Sequence, residues 1–166
     1  MKVEKRKKLI YSLLIITIIF FIDRLSKIYI VSIANINGSV DIFVTKYLNI
    51  YLIWNEGIAF GLLSFDQSNI YSAITALITI ISIVIVVLII KTNDIRFYFY
   101  SFVFGGAIGN LFDRLYYSAV PDFIDLHINN YHWFIFNVAD IFITIGVLCL
   151  ILVELIFNKS LDNEKK

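Results

Sequence analysis

Charge is scarce in this sequence. Asp, Glu, Lys and Arg together make up 16% of its 166 residues, against about 25% in an ordinary soluble domain. Proline occurs once and glycine seven times, which leaves little room for a flexible linker. No internal repeat or low-complexity tract is visible either, so residues 1–166 are expected to form one membrane-embedded domain. The single cysteine, Cys149, excludes an internal disulfide and lies in an apolar run, as a small core residue would. A net charge of +1 points to neither nucleic acid nor an acidic partner. What the chain has in quantity is hydrocarbon, with 60% hydrophobic residues. That balance describes an α-helical integral membrane protein.

Four transmembrane helices can be placed. The first starts at Leu9 after a basic tail and continues through Asp23, Arg24 and Lys27 to about Ile33. Its apolar part resembles the core of a cleavable signal peptide, with Ser32-Ile33-Ala34 as a faint cleavage site. The segment is nevertheless of bilayer length at about 1.5 Å per residue, so it is expected to stay. Residues 70–90 carry no charge and form the second span; 97–117 form the third and 133–157 the fourth. Four spans put both termini on one side, and the positive-inside rule makes that side cytoplasmic. The tail, the 91–96 turn and the C-terminus hold Lys2, Lys5, Arg6, Lys7, Lys8, Lys91, Arg96, Lys159, Lys165 and Lys166, whereas the other two loops hold only Lys46. Within the loop between helices one and two, Val40–Val44 and Tyr47–Trp54 are rich in β-branched and aromatic residues, which predicts a small extracytoplasmic β-structure there. Asn55-Glu56-Gly57 then reads as a turn leading to Ala59-Phe60-Gly61.

With that orientation, Asp23 and Lys27 on helix one, Asn110, Asp113 and Arg114 on helix three, and Asn137 and Asp140 on helix four fall at one depth, near the outer face. One shared polar site accounts for this better than separate solvated surfaces. Spacings of three or four put Asp23 with Lys27, Asn110 with Arg114, and Asn137 with Asp140 on common helix faces. Asp23–Lys27 and Asp113 suit a structural role, because charges at helix ends often pair or snorkel. Asp122 and Asp140 suit it less, since no Lys or Arg lies nearby in sequence to neutralise both. Two carboxyls that meet can share one proton and so supply an acid and a base together. Asp125, three residues beyond Asp122, is expected to face solvent.

Other chemistries find less support. His127 and His132, with the nearby aspartates, match no zinc spacing, so neither a metal nor another cofactor is expected. No Gly-x-Ser-x-Gly elbow or Cys–His pair offers a nucleophile. A proton-coupled transporter should carry its relay across the membrane, yet the inner half offers only Glu154 and helix two has no charge. A lipid-binding chaperone would have little use for two unneutralised acids.

Five motifs occur in order: Asp23-Arg24-Leu25-Ser26-Lys27, Asn55-Glu56-Gly57-Ile58-Ala59-Phe60, Gly105 through Arg114, Asp122-Phe123-Ile124 and Phe136-Asn137-Val138-Ala139-Asp140. Together they closely resemble the bacterial lipoprotein signal peptidases, the signal peptidase II family, over essentially the whole chain. The resemblance implies an aspartic endopeptidase of the cytoplasmic (inner) membrane. Such an enzyme cleaves prolipoproteins just before a cysteine that carries a diacylglyceryl group, in contact with membrane lipid; no oligomeric partner is evident. By motif position Asp122 and Asp140 match the catalytic pair, while Asn55, Gly57, Asn110, Arg114 and Asn137 match the substrate site and its supports. Asp23 and Lys27 match the polar pair of the first helix, and the β-structure matches a cradle over the membrane surface. Pro121, Arg24 and Ile58 depart from the usual Val, Gln and Ala, and none of them is a catalytic group.

Overall fold

The computed structural model describes residues 2–57, 67–129 and 131–164. Its elements are α1 (Lys2–Asn37), β1 (Asp41–Thr45), β2 (Leu48–Asn55), α2 (Gln67–Lys91), α3 (Arg96–Tyr117), β3 (Val120–Ile128), β4 (Tyr131–Phe136) and α4 (Val138–Glu164). Among the described residues three helical stretches are long and apolar enough to cross a membrane: Glu4–Asn37, Tyr71–Lys91 and Val138–Phe157. Leu13, Ile18 and Leu25 on α1 and Ile80, Ile83 and Val84 on α2 are exposed, an arrangement that suits a hydrocarbon surround and would be costly in water. The molecule is thus a helical protein of membrane type with a small sheet.

Helix α3 is not among those three stretches, because Arg96, Asn110, Asp113 and Arg114 dilute its apolar character. It sits in the middle, packed against α1, α2 and α4. Its buried face is built largely from Ser101, Gly105, Gly106, Ala107 and Gly109, small residues that let neighbouring backbones come close where no water can drive helices together. At the other end of the bundle the Lys8 ammonium donates to the carbonyls of Ile90 (2.9 Å) and Thr92 (2.8 Å). It thereby satisfies carbonyls that the end of α2 leaves without helical partners.

The sheet is antiparallel in the order β1-β2-β3-β4. Only half of it comes from the segment between the first two helices. Strands β3 and β4 come from residues read in sequence as a loop and as the beginning of helix four, so that helix starts at Val138 and not at Trp133. The apolar run Trp133–Phe136 leads straight into the helix, and a run that short does not by itself distinguish a strand from a buried helical turn. Ile30 of α1, Val40 and Phe123 form the small core beneath the sheet, with Ile33, Ile50, Leu52 and Val138 packed around them. This anchors β3, and with it Asp122, to the end of α1. Pro121 is accommodated because β4 pairs with β3 only from Ile124 onward, so one side of the strand has no ladder for the missing N–H to break. The Ile58–Phe60 part of the second motif, and Gly61 after it, lie outside the described residues.

Candidate active site

Where α1, α3 and α4 meet, two acids and two bases are buried together. Asp23, Lys27 and Asp113 are at most 1% exposed and Arg24 is 6% exposed. The Lys27 ammonium uses all three of its donors, toward Asp23 Oδ2 (2.8 Å), Asp113 Oδ2 (2.7 Å) and Asn110 Oδ1 (2.8 Å). Arg24 reaches Asp113 Oδ1 at 2.6 Å and lies over the Phe112 ring. Asp23 Oδ1 accepts the backbone N–H of Ala139 at 3.0 Å, which ties α1 to the first turn of α4. Gly109 makes room for this group, since a β-carbon there would lie 2.6 Å from Asp23 Oδ2. The cluster is formally neutral, and each charge is paired inside a region that would otherwise expel it.

A second pair of acids stands beside this cluster under different conditions. Asp122, on β3, is 2% exposed. Its Oδ2 accepts from the amide of Asn55 (2.9 Å) and its Oδ1 from the amide of Asn137 (2.5 Å). Asp140, in the first turn of α4, accepts the Asn110 amide on Oδ1 (2.8 Å) and the backbone N–H of Asn137 on Oδ2 (3.0 Å). Asn137 therefore touches both carboxylates and joins them.

The three asparagines follow one logic. Each has its amide oxygen occupied by a donor, which turns its NH2 group toward a carboxylate. Lys27 holds the oxygen of Asn110. The N–H of Gly57 holds that of Asn55 at 2.8 Å, in a side-chain turn that Gly57 completes with a φ of +82°. The N–H of Asp140 holds that of Asn137 at 3.1 Å. Asn137 and Asp140 thus form a reciprocal capping box at the start of α4, with Asn137 as the cap and not one helix face.

The electrostatic consequence falls on Asp122. Burial pushes its carboxyl up to about 6, with the charge of Asp140 adding to the rise, while the Asn55 and Asn137 hydrogen bonds and the more distant Lys27 pull it back. Beside the pair opens a cavity of about 670 Å³ lined by Asn55, Asp122, Leu126, Phe134, Phe136, Asp140 and Ile145, among others. Two carboxyls at the polar end of an apolar cavity can activate water and protonate a leaving group.

Not every sequence expectation meets at this place. Arg114 is half-buried, donates to the Asn110 carbonyl at 3.3 Å, and lines a separate cavity with Tyr71, Thr75 and Thr79 between α2 and α3. Asp125, expected to face solvent, is fully buried and bonded to His132, because it lies in a strand and points into the sheet's covered side. In sequence Arg24 stands out as a departure from the family pattern, and in the structure it completes the ion cluster. Its position next to Asp23 and one turn before Lys27 was the available signal.

Residues 15–157 match a family model described as signal peptidase (SPase) II. The chain belongs to the signal peptidase II family. Its signal peptidase II relatives include a lipoprotein signal peptidase of Pelagibacter ubique (strain HTCC1062), 55% identical over 96% of both chains. Another, from Anaplasma phagocytophilum (strain HZ), is 37% identical over 90% of this chain and 94% of its own. Among solved structures, a bacterial membrane enzyme determined by the in meso method at 2.3 Å resolution is 33% identical over 90% of each chain, with a TM-score of 0.69. A second, at 1.9 Å resolution, gives a TM-score of 0.71 at the same identity, over 87% of this chain and 92% of its own. The transporter alternative finds no support in these likenesses. Glu154, its inner-half candidate, pairs instead with Arg96 at 3.3 Å.

Proposed function

We infer that this aspartic peptidase removes signal peptides from prolipoproteins, cleaving just before the diacylglyceryl-modified cysteine, with Asp122 and Asp140 as its catalytic pair. The observation that carries this reading is the convergence of three asparagine amides on two carboxylates that no Lys or Arg among the described residues contacts directly. Amides hold the acids together without discharging them, so the pair retains one proton between them. Water held by the unprotonated carboxylate gives up a proton as its oxygen attacks the scissile carbonyl. The protonated partner then delivers its proton to the leaving nitrogen as the C–N bond breaks. The cavity lined by Leu126, Phe134, Phe136, Ile141 and Ile145 would take the acyl chains.

In this reading α3 is a fourth span despite its polar residues, because α1, α2 and α4 surround it. Both termini are cytoplasmic on the positive-inside rule, the sheet lies on the outer surface of the bacterial inner membrane, and the site opens at that face. The test is hydrolysis of a synthetic diacylglyceryl prolipopeptide by purified protein. Cleavage before the modified cysteine, lost with the unlipidated peptide, is the expected result. Absence of cleavage, or cleavage that persists in the Asp122→Asn and Asp140→Asn variants, would contradict it.

A further inference from the structure

Strand β3 carries functional groups on both of its faces. Asp122 and Leu126 line the apolar cavity, whereas Asp125 lines a second one, of about 470 Å³, with Asp41, Asn49, Tyr51, His132 and Ile135. Alternation along the strand puts His127 on the same face as Asp125. The sheet register then brings up the rest: His132 stands opposite His127, and Asn49 opposite Asp125.

One ligand atom from each of Asp125, His127 and His132 lies within 4.8 Å of the others. The rings of His127 and His132 are 5.5 Å apart, centre to centre. His132 Nδ1 lies 2.8 Å from Asp125 Oδ2, and His127 Nδ1 lies 3.5 Å from the same oxygen. His127 is 8% exposed, and its Nδ1 has no hydrogen-bond partner. A buried ring nitrogen left unsatisfied needs an explanation, and here it faces a buried carboxylate and a second imidazole. Asn49 contributes another orphan, a buried Oδ1 without a partner.

We propose that Asp125, His127 and His132 bind a divalent transition-metal ion of the zinc class. Two imidazoles and one carboxylate suit zinc, cobalt or nickel and discriminate against magnesium and calcium, which prefer all-oxygen sets. The two histidines lie five residues apart across a hairpin and match no zinc spacing in sequence; the strand register brings them together. The ion would clamp β3 to β4, the hairpin that supplies Leu126, Phe134 and Phe136 to the apolar cavity. It sits on the face away from Asp122, so the role is structural and does not touch the proposed hydrolysis.

The experiment is a cobalt(II) titration of untagged, full-length protein in detergent, stripped of metal beforehand. Visible d–d absorption should saturate at one equivalent, survive excess magnesium and disappear on addition of zinc. His127→Gln and His132→Gln should each weaken binding at least about tenfold, as even the loss of an outer-shell partner costs 10–100-fold. The His132 side chain is 53% exposed, so that variant folds and decides the matter if His127→Gln does not. No saturable one-equivalent binding by the wild type, or unchanged affinity in His132→Gln, would overturn the proposal.

Discussion

Two groups of aspartates lie side by side in this molecule and are treated in opposite ways. Asp23 and Asp113 are matched by Lys27 and Arg24 in a closed, formally neutral cluster. Asp122 and Asp140 are met by amides and one backbone N–H. A full counter-charge ties a carboxylate into an ion pair, which makes it useful for holding helices and poorly placed for passing protons. An amide orients a carboxylate and leaves its protonation open. Asn110 is the boundary between the two regimes: its oxygen faces Lys27 and its NH2 faces Asp140. The cluster therefore positions the pair without neutralising it.

The sharpest way to break the contrast is to remove one ionisable group from each side. Asp140→Asn and Asp122→Asn should each lower prolipopeptide cleavage by about 10²–10⁴-fold while leaving the fold intact, because they remove the proposed acid–base function and little else. The double variant should be scarcely worse than either single one, since a shared pair acts as a unit. Lys27→Met should do the reverse and cost stability first. Removing one partner of a buried ion cluster costs about 3–5 kcal/mol, measurable as a lower thermal midpoint in detergent.

Asn110→Asp probes the boundary itself. It keeps the shape but turns a donor into an acceptor facing Asp140, so it loses a hydrogen bond to a charged group. That bond is worth about 1.5–3 kcal/mol, and cleavage kinetics should show a loss of about ten- to a hundredfold. The smallest effect belongs to an exposed pair far from both groups. Arg96 holds Asp94 below the usual carboxylate range through a hydrogen bond, so what Asp94 contributes is present at neutral pH and disappears as pH falls through that range. Asp94→Asn should leave both stability and cleavage indistinguishable from the wild type, as exposed ion pairs usually do.

The helices were legible in sequence because uncharged apolar runs have few other uses. The shared polar site was legible because intramembrane polar groups rarely occur without partners. Half of the sheet was hidden. Trp133–Phe136 is an apolar run that leads straight into α4, and the better clue was the Asn129-Asn130 pair before the strand, a composition suited to a tight turn; Asn129 does take a positive φ of 53°. The burial of Asp125 followed from the same miss, since a loop aspartate faces water and a strand aspartate need not. Arg24 was hidden for another reason. A helical residue next to Asp23 points about 100° away from it, and only the packing of α3 brings Asp113 within its reach.

One measurement bears most directly on the proton proposed to be shared by Asp122 and Asp140. An infrared titration of the wild type, with the Asp122→Asn spectrum subtracted, should show a carboxyl that ionises near pH 6. Because the folded state holds this proton more tightly than the unfolded chain, ionisation of Asp122 up to that pH weakens the fold. Asp140→Asn should move the transition down yet leave it above the ordinary carboxylate range, since burial is the larger cause and the neighbouring charge the smaller. Ionisation of Asp122 in the ordinary carboxylate range, with no change in Asp140→Asn, would contradict the shared proton and with it the acid–base role of the pair.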